Sequence, residues 1–406
     1  MKHSATGPNS DDKQPQARET FRAQLTPLLL LTSIFFVNFM SRIILAPLMP
    51  GVKSELALSH AEAGSLFLLI SLGYFTTLLL SGFISSRLTH RKIIMFSCIA
   101  VGLALLLTSF STGLWGMRLG LVALGMAAGP YMPSGLATLT TLFKIRHWGK
   151  ALSIHELAPN LSFFMAPLIV EAVLYWFSWR TVFMLIGFVA LALAVVFARF
   201  GRGGDFHGEP VGYSSFRKIL SNSAFWIMVV LFSLGISSTL GIYTMLPLFL
   251  VTDHHMGRNW ANTLIALSRI AGLGMTLVGG WATDLFGPKR ILKVVFVLSG
   301  MMTLFIGLAS SAWVAVAVFL QPIMAVCFFP AGLAALSMVS SAKERNFTVS
   351  ITIPIAFLMG GGAAPAMIGL IGDLRSFGWG IALVGGLILT GSILSGHLKL
   401  QHRTRD

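Results

Sequence analysis

The sequence predicts an all-α integral membrane protein, with twelve transmembrane helices in two six-helix bundles related by a pseudo-twofold axis. Three observations lead to this fold class: a weakly charged composition, twelve apolar segments and an internal repeat. Of the 406 residues, 55% are hydrophobic and only 11% are charged, whereas a soluble domain has about 25% charged residues. The composition therefore predicts a chain that crosses a membrane several times.

Each apolar segment is long enough to cross a bilayer as a helix, for which about 20 residues suffice. The segments lie at residues 25–50, 61–86, 93–112, 115–141, 151–174, 181–199, 223–250, 262–283, 291–310, 312–338, 347–371 and 379–398. No cleavable signal peptide is apparent, because the first apolar run exceeds the length of a signal core. The predicted domains are a tail (1–24), a first bundle (25–199), a polar linker (200–222), a second bundle (223–398) and a tail (399–406).

The basic residues predict how the chain is oriented. The net charge is +15 and there are 29 lysines and arginines. With the N-terminus inside, 22 of them fall on the cytoplasmic side, 4 outside and 3 within segments. This asymmetry follows the positive-inside rule and predicts an inner-membrane protein with both termini in the cytoplasm. The basic excess is therefore topological, and nucleic-acid binding is not needed to explain it.

The two halves of the chain match each other in register. YMPSGLATLT at 131–140 matches FFPAGLAALS at 328–337, and GFISSRLTHRK at 82–92 matches GWATDLFGPKR at 280–290. MAP at 165–167 matches AAP at 363–365, and APL at 46–48 matches LPL at 246–248. A duplicated six-helix unit with parallel halves is typical of transporters whose substrate site lies between the halves near the midplane.

The repeated loop also carries a family motif, Gly-x-x-x-Asp-Arg-x-Gly-Arg-Arg/Lys. The second copy keeps Gly280, Asp284, Gly287, Lys289 and Arg290, with Leu285 in place of the first arginine. The first copy keeps Gly82, Arg87, Arg91 and Lys92, with Ser86 in place of Asp and Thr89 in place of Gly. Over essentially its whole length the chain resembles the major facilitator superfamily. The resemblance implies that the motif residues form a cytoplasmic gate, opened by breaking a charge network.

Arg42 lies well inside the first apolar segment, with Asn38 one turn earlier on the same face. A charged residue at that depth costs at least about 2.5–3.5 kcal/mol on insertion scales, so it normally faces a wet cavity or a partner. Arg42 is either a snorkelling or structurally paired arginine, or a fixed positive charge that binds an anion, and we expect the fixed charge. A mid-membrane amide also needs a partner, so Asn38 is expected to orient the substrate.

Several further residues are candidates for the same site. Arg269 lies two turns into the eighth segment and could clamp an anion together with Arg42, since guanidinium groups bind carboxylates in a bidentate way. Tyr131, Tyr243 and Phe328 lie near mid-helix, where each ring either lines a cavity or simply packs. Tyr74 in the second segment presents the same choice.

The fifth segment carries His155 and Glu156 about two turns from the cytoplasmic face. Both can titrate once burial shifts their pKa, so they are the candidates for coupling transport to protons. The alternative is that Glu156 belongs to the cytoplasmic gate. Arg118 and Glu171 lie near the outer ends of their segments, where structural pairing and an interfacial position are expected.

A second resemblance concerns the anion-carrying branches, the anion:cation symporters and organophosphate exchangers. The resemblance lies in the first and fourth segments, in the stretches NFMSRIILAPLMP and MRLGLVALGMAAGPYMP. The residues that match these branches are Arg42, Arg118, Gly125 and Gly129. Many proton-coupled members have an Asp where this chain has Ser41. Many also have a Glu in the glycine run of the fourth helix. In this chain the corresponding run contains only Gly, Met and Ala.

The sequence therefore predicts a secondary active transporter, not an enzyme, that moves a small carboxylate-type organic anion by alternating access. Gly149-Lys150 lacks the rest of an ATP-binding loop, and His155-Glu156 is followed by no second histidine of a zinc helix. We expect no cofactor or metal and a monomer in the lipid bilayer, with protons as the candidate coupling ion. The alternatives are a proton-coupled exporter of drugs or other amphiphiles, and a receptor without transport.

Overall fold

The computed structural model describes residues 21–208, 220–339, 345–398 and 400, and in those residues it is built of helices without any strand. Among these described residues, twelve helices are long and apolar enough to span a membrane, which confirms the predicted fold class. The first six are α1 (Leu25–Glu55), α2 (His60–Leu79), α3 (His90–Ser109), α4 (Leu114–Leu142), α5 (Ile145–Leu174) and α6 (Trp179–Phe200). The other six are α7 (Ser223–Thr252), α8 (Arg258–Phe286), α9 (Pro288–Leu308), α10 (Val314–Val339), α11 (Thr348–Leu374) and α12 (Phe377–His397).

The two bundles pack internally in the same way. In the first bundle α1 packs on α5, α2 on α4 and α3 on α6. In the second bundle α7 packs on α11, α8 on α10 and α9 on α12. These pairs correspond one to one when the helix numbers are shifted by six, as a duplicated unit requires.

The bundles meet mainly at one end. We call the end where α1 begins and α12 ends the terminal side, and the other end the opposite side. Across the interface, α2 packs on α11, α5 on α8, and the later half of α1 on the later half of α7. Among the described residues, the terminal-side halves of α4, α5 and α10 pack mainly within their own bundles. The two bundles are therefore in closer contact on the opposite side than on the terminal side, and we call the terminal side the open side.

Several spanning helices are irregular near their middle. The helix α1 breaks at Ile44, three residues before Pro47, and α4 breaks at Gly129–Pro130. The helices α7 and α11 contain wider π-helical turns at Ser237–Gly241 and Phe357–Ala363. Such turns locally break the regular hydrogen-bond ladder and are frequent at functional sites. The break in α1 and the π-helical turns in α7 and α11 lie near the middle of these helices, at the interface of the bundles.

The chain that follows α6 does not leave the first bundle at once. Residues 201–208, which we call the strap, run across its terminal side. The backbone N–H of His90 donates to the carbonyl of Phe206 at 3.1 Å, and that of Gly208 donates to the carbonyl of Ser85 at 2.8 Å. The strap therefore binds the loop between α2 and α3, where the first copy of the family motif lies.

Two glycines allow the strap to take this path. Gly203 and Gly204 have φ angles of +81° and +80°, a conformation that side chains disfavour. An added Cβ on Gly204 would lie 2.8 Å from the backbone nitrogen of Arg91. The next residue, Asp205, lies 3.7 Å from the Arg91 guanidinium. The strap thus brings a carboxylate to a motif copy whose own aspartate position holds serine.

The residues of the predicted gate all lie on the terminal side. Gly287, with φ +82°, ends α8, and Lys289 donates from Nζ to the carbonyl of Leu398 at 3.0 Å. Asp284 is exposed and makes no ion pair or hydrogen bond with the part of the chain that the structure describes. A charge network among the gate residues is expected to be broken on the open side of the molecule. The gating role of these residues stays a prediction. The remaining motif residues, which border the same loops, are Gly82, Arg87, Gly280 and Arg290.

Candidate substrate-binding site

Arg42 is buried in an aromatic cage at the interface of the bundles. Only 8% of its surface is exposed, so the side chain does not snorkel to the opposite surface. Its guanidinium carbon lies 4.1 Å from the centre of the Tyr74 ring, 4.8 Å from that of Phe39 and 5.5 Å from that of Phe357. Each such contact with an aromatic face stabilises a cation by about 0.5–2 kcal/mol. The cage lowers the cost of burying the charge without neutralising it.

The charge of Arg42 has no acidic partner in the described residues, and its Nε is buried without a hydrogen bond. A small cavity of about 20 Å³ lies beside it. On this measure one water needs at least about 10–15 Å³, so the cavity has room for about one water-sized group. Ser71, Tyr74 and Thr244 are the uncharged polar residues that line it. The lining comes from both bundles, through α1, α2, α7 and α11.

Arg269 occupies a similar position on the other side of the interface. Its guanidinium carbon lies 4.8 Å from the ring centre of Tyr243 and 4.9 Å from that of Phe163. Its Nε is also buried without a hydrogen-bond partner in the described chain. Arg269 belongs to the second bundle and Phe163 to the first, just as Arg42 belongs to the first and Phe357 to the second. Each arginine thus contacts a ring of the opposite bundle.

Two phenylalanines connect the arginines. The rings of Phe39 and Phe163 pack edge to face, with their centres 5.2 Å apart. Phe39 contacts Arg42 and Phe163 contacts Arg269, so the two guanidinium groups are separated by three steps of 4.8, 5.2 and 4.9 Å. Two positive charges lie along one aromatic row at mid-membrane. The predicted pairing of Arg42 with Arg269 on one anion stays a prediction.

Asn38 lies on the same helix as Arg42, but its amide is occupied. Its Nδ2 donates to the carbonyl of Ala128 at 3.1 Å. That carbonyl lies just before the break of α4 at Gly129–Pro130, where the helix ladder is incomplete. Asn38 therefore ties α1 to the break in α4, and its predicted contact with substrate stays a prediction.

Tyr131 and His155 form a separate polar cluster inside the first bundle. The Tyr131 hydroxyl donates to the carbonyl of Leu31 at 2.6 Å and lies 3.1 Å from His155 Nε2. Phe35 stacks on the His155 ring at 4.4 Å. His155 Nδ1 lies 3.6 Å from a carboxylate oxygen of Glu156, whose side chain is 48% exposed. The two residues of the predicted proton-coupling pair are therefore in contact, with the buried His155 ring beside the accessible carboxylate of Glu156.

Phe328 is placed away from both arginines. Its ring lies 5.1 Å from that of Phe232 and 5.6 Å from that of Phe296, and it is fully buried in the second bundle. The surroundings match the packing alternative for this residue. Of the six predicted substrate residues, the structure brings Arg42, Arg269 and Tyr243 to one aromatic row, with Asn38 nearby on α1.

Sequence reasoning missed the three phenylalanines that contact the two arginines, which are Phe39, Phe163 and Phe357. Phe39 is three residues before Arg42, which is one helical turn, so its contact could have been found from spacing. Phe163 and Phe357 belong to helices far along the chain and carry no local signal.

Two six-helix bundles related by an internal repeat are an architecture found in many membrane transporters. The model of the Major Facilitator Superfamily matches residues 31–284, more than half of the chain. The chain therefore belongs to the major facilitator superfamily and is a membrane transporter rather than an enzyme.

Its relatives include proteins that act on small anions. The probable L-galactonate transporter of Escherichia coli K12 is 24% identical, over 92% of this chain and 88% of that protein. The nitrite extrusion protein of Bacillus subtilis 168 is 24% identical, over 89% of this chain and 87% of that protein. The membrane sensor protein UhpC of Salmonella typhimurium LT2 is 24% identical, over 59% of this chain and 60% of that protein.

Solved structures share the fold. A bacterial homolog of the human lysosomal transporter Spinster, in an inward-facing and occupied conformation, superimposes with a TM-score of 0.79. The match covers 92% of this chain and 96% of that one at 16% sequence identity. The likeness supports the architecture of two six-helix bundles.

Proposed function

We propose that the protein is a secondary active transporter of a small organic anion of the carboxylate type, working by alternating access. The observation that carries this proposal is the pair of buried arginines at the bundle interface, which have no acidic partner among the described residues. A guanidinium group offers planar, paired donors that match a carboxylate. Binding an anion would supply the counter-charge that Arg42 lacks.

The cavity beside Arg42 suggests how the anion is held. We place the carboxylate between the Arg42 donors and the Ser71 hydroxyl, while the rings of Tyr74 and Phe357 exclude water around it. A sugar acid carries a carboxylate of this kind, and L-galactonate, named for one relative, is the anion of a sugar acid.

The proposed orientation follows from the charges of the loops. If the terminal side is cytoplasmic, as the positive-inside rule predicts, the structure is an inward-open state and both termini lie in the cytoplasm. The predicted monomer and inner-membrane location belong to the same proposal.

The alternative remains an exporter of amphiphilic cations or drugs. A cation site at mid-membrane needs a buried acid, yet the aromatic row contains two arginines and no carboxylate among the described residues. Glu156 lies beside His155, away from the row. The observations therefore favour an anionic substrate.

Uptake into proteoliposomes tests the proposed function. The panel contains monocarboxylates, dicarboxylates, sugar acids including L-galactonate, nitrite and one lipophilic cation, with a pH gradient and a voltage imposed separately. We expect uptake of one carboxylate class, with other carboxylates competing. Movement of the cation alone would contradict the proposal and favour the exporter, and binding without any flux would favour a receptor.

Replacing Glu156 by glutamine tests the coupling to protons. An amide cannot carry a proton, so Glu156→Gln is expected to abolish accumulation against a gradient. Exchange of labelled for unlabelled substrate needs no net proton movement and is expected to continue at nearly the normal rate. Both are measured in proteoliposomes.

The control is Lys144→Gln, which removes an exposed charge between α4 and α5 on the same side as Glu156 and is expected to leave accumulation intact. If Glu156→Gln still accumulates substrate in response to a pH gradient, Glu156 is not the coupling group, and His155→Gln becomes the next variant to measure.

A further inference from the structure

A carboxylate of the first bundle binds the second bundle on the opposite side. Glu171, near the end of α5, accepts from Arg258 Nε at 3.0 Å and from Arg258 Nη2 at 3.3 Å. Asn262 Nδ2 donates to the same carboxylate at 2.6 Å. Only 13% of the Glu171 side chain is exposed, so solvent weakens this contact less than it weakens a surface ion pair.

A carboxylate of the second bundle binds the first bundle on the same side of the molecule. Asp373, near the end of α11, accepts from the backbone N–H groups of His60 and Ala61, each at 2.8 Å. These groups belong to the first turn of α2, where unsatisfied donors and the helix dipole favour a negative charge. The backbones also touch here, because an added Cβ on Gly369 would lie 2.2 Å from the His60 carbonyl oxygen.

The two contacts are related by the internal repeat. In each, an acid at the end of the fifth helix of one bundle binds the first turn of the second helix of the other bundle. His60 and Arg258 are 198 positions apart, the offset of the repeated loop motif, and Glu171 and Asp373 are 202 apart. The duplication has therefore placed the same kind of contact twice, once in each direction across the interface.

A second pair of acids provides a natural comparison. Glu55, at the end of α1, binds the Arg180 guanidinium and Trp179 Nε1 at the start of α6. Asp253, 198 positions later, follows α7 and accepts from the backbone N–H of Gly378 in α12 at 3.1 Å. Both contacts stay within one bundle, so relative motion of the bundles leaves them intact.

We propose that Glu171 and Asp373 form a two-part latch that holds the bundles together on the opposite side. Both contacts must break before the substrate site opens there, which makes the two acids positioning residues for transport rather than part of the site. The proposal rests on alternating access but not on the identity of the substrate.

Labelling of a cysteine in the site tests the latch without any substrate. Ser71→Cys is placed beside Arg42 in a chain whose Cys98 and Cys327 are replaced by alanine, and a membrane-impermeant maleimide is added from either side of sealed vesicles. Hydrogen bonds to a charged group contribute about 1.5–3 kcal/mol. Glu171→Gln or Asp373→Asn is therefore expected to raise the labelling rate from the opposite side by about tenfold or more, and the double variant to raise it further.

The matched controls are Glu55→Gln and Asp253→Asn, which make the same chemical changes in contacts within a bundle. They are expected to leave the labelling rate from the opposite side unchanged. An unchanged rate in both latch variants, or an equal increase in the controls, would overturn the proposal. A misfolded variant would label faster from both sides, whereas an opened latch labels more slowly from the terminal side.

A charge exchange separates a latch from a structural role. Glu171→Arg is expected to open the opposite side, and adding Arg258→Glu should restore slow labelling because it re-forms the pair with reversed charges. If the double exchange labels as fast as Glu171→Arg alone, the pair does not hold the bundles together.

Discussion

Arg42→Ala is expected to lower the affinity for the transported anion by about 10- to 100-fold, while the protein still inserts and folds. The variant removes the charge-assisted hydrogen bonds that fix the carboxylate, each contributing about 1.5–3 kcal/mol. Folding is spared because the Arg42 charge has no ion-pair partner in the described residues that would be left buried alone. Binding to purified protein, by calorimetry or by competition with a labelled anion, measures the change.

Two further variants sharpen this measurement. Arg118→Ala removes another arginine of the first bundle, one that lies 3.8 Å from Glu62 near the opposite surface, and it is expected to keep normal affinity. Arg42→Lys keeps the charge but loses the planar fork and its stacking on Tyr74, so it is expected to recover little binding. If Arg42→Ala binds the anion normally, Arg42 is structural and the assignment of an anionic substrate is wrong.

Gly125→Val is expected to have the largest effect on stability. An added Cβ on Gly125 would lie 2.1 Å from the carbonyl oxygen of Ile70 and 2.9 Å from the backbone nitrogen of Tyr74. The helices α2 and α4 are in backbone contact here, and small residues permit such close packing in membranes. Overpacking costs about 1–3 kcal/mol where side chains can move, and a backbone cannot, so a loss of about 3 kcal/mol or more is expected.

Thermal unfolding of the purified protein in detergent measures this loss. The control is Gly386→Val in α12, because a Cβ at Gly386 meets nothing within 4 Å. Both substitutions place the same β-branched residue in a membrane helix, so intrinsic helix preference cancels. An equal fall in melting temperature for the two variants would show that the contact of α2 with α4 is not what Gly125 protects. Since Tyr74 covers Arg42, Gly125→Val should also weaken anion binding.

The fold could be predicted because its signals are local or periodic. Twelve apolar runs and a repeat of about 198 residues are visible in the chain itself, and the depth of Arg42 follows from its position in the first run. The partners of Arg42 give no such local signal, because Tyr74 and Phe357 come from α2 and α11. No spacing rule brings residue 357 to residue 42, so the cage could not be predicted from the sequence.

Tyr131 and Glu171 show what the sequence leaves open for single residues. The sequence allows Tyr131 either to line a cavity or to pack, and the structure adds that its hydroxyl bonds Leu31 and His155. The sequence predicts an interfacial position for Glu171, because it lies near the outer end of its segment. Its partner Arg258 is 87 positions later, in the other bundle.

The strap has a consequence for the reach of the connection between the bundles. An extended chain spans at most about 3.3–3.6 Å per residue, so the 20 steps from Phe200 to Leu220 would extend about 70 Å if all were free. Because the strap fixes the chain as far as Gly208, only 12 steps remain, with a limit of about 40 Å. The covalent tether is therefore short, and it sets an upper bound on how far the terminal-side ends of α6 and α7 can separate while the strap stays bound.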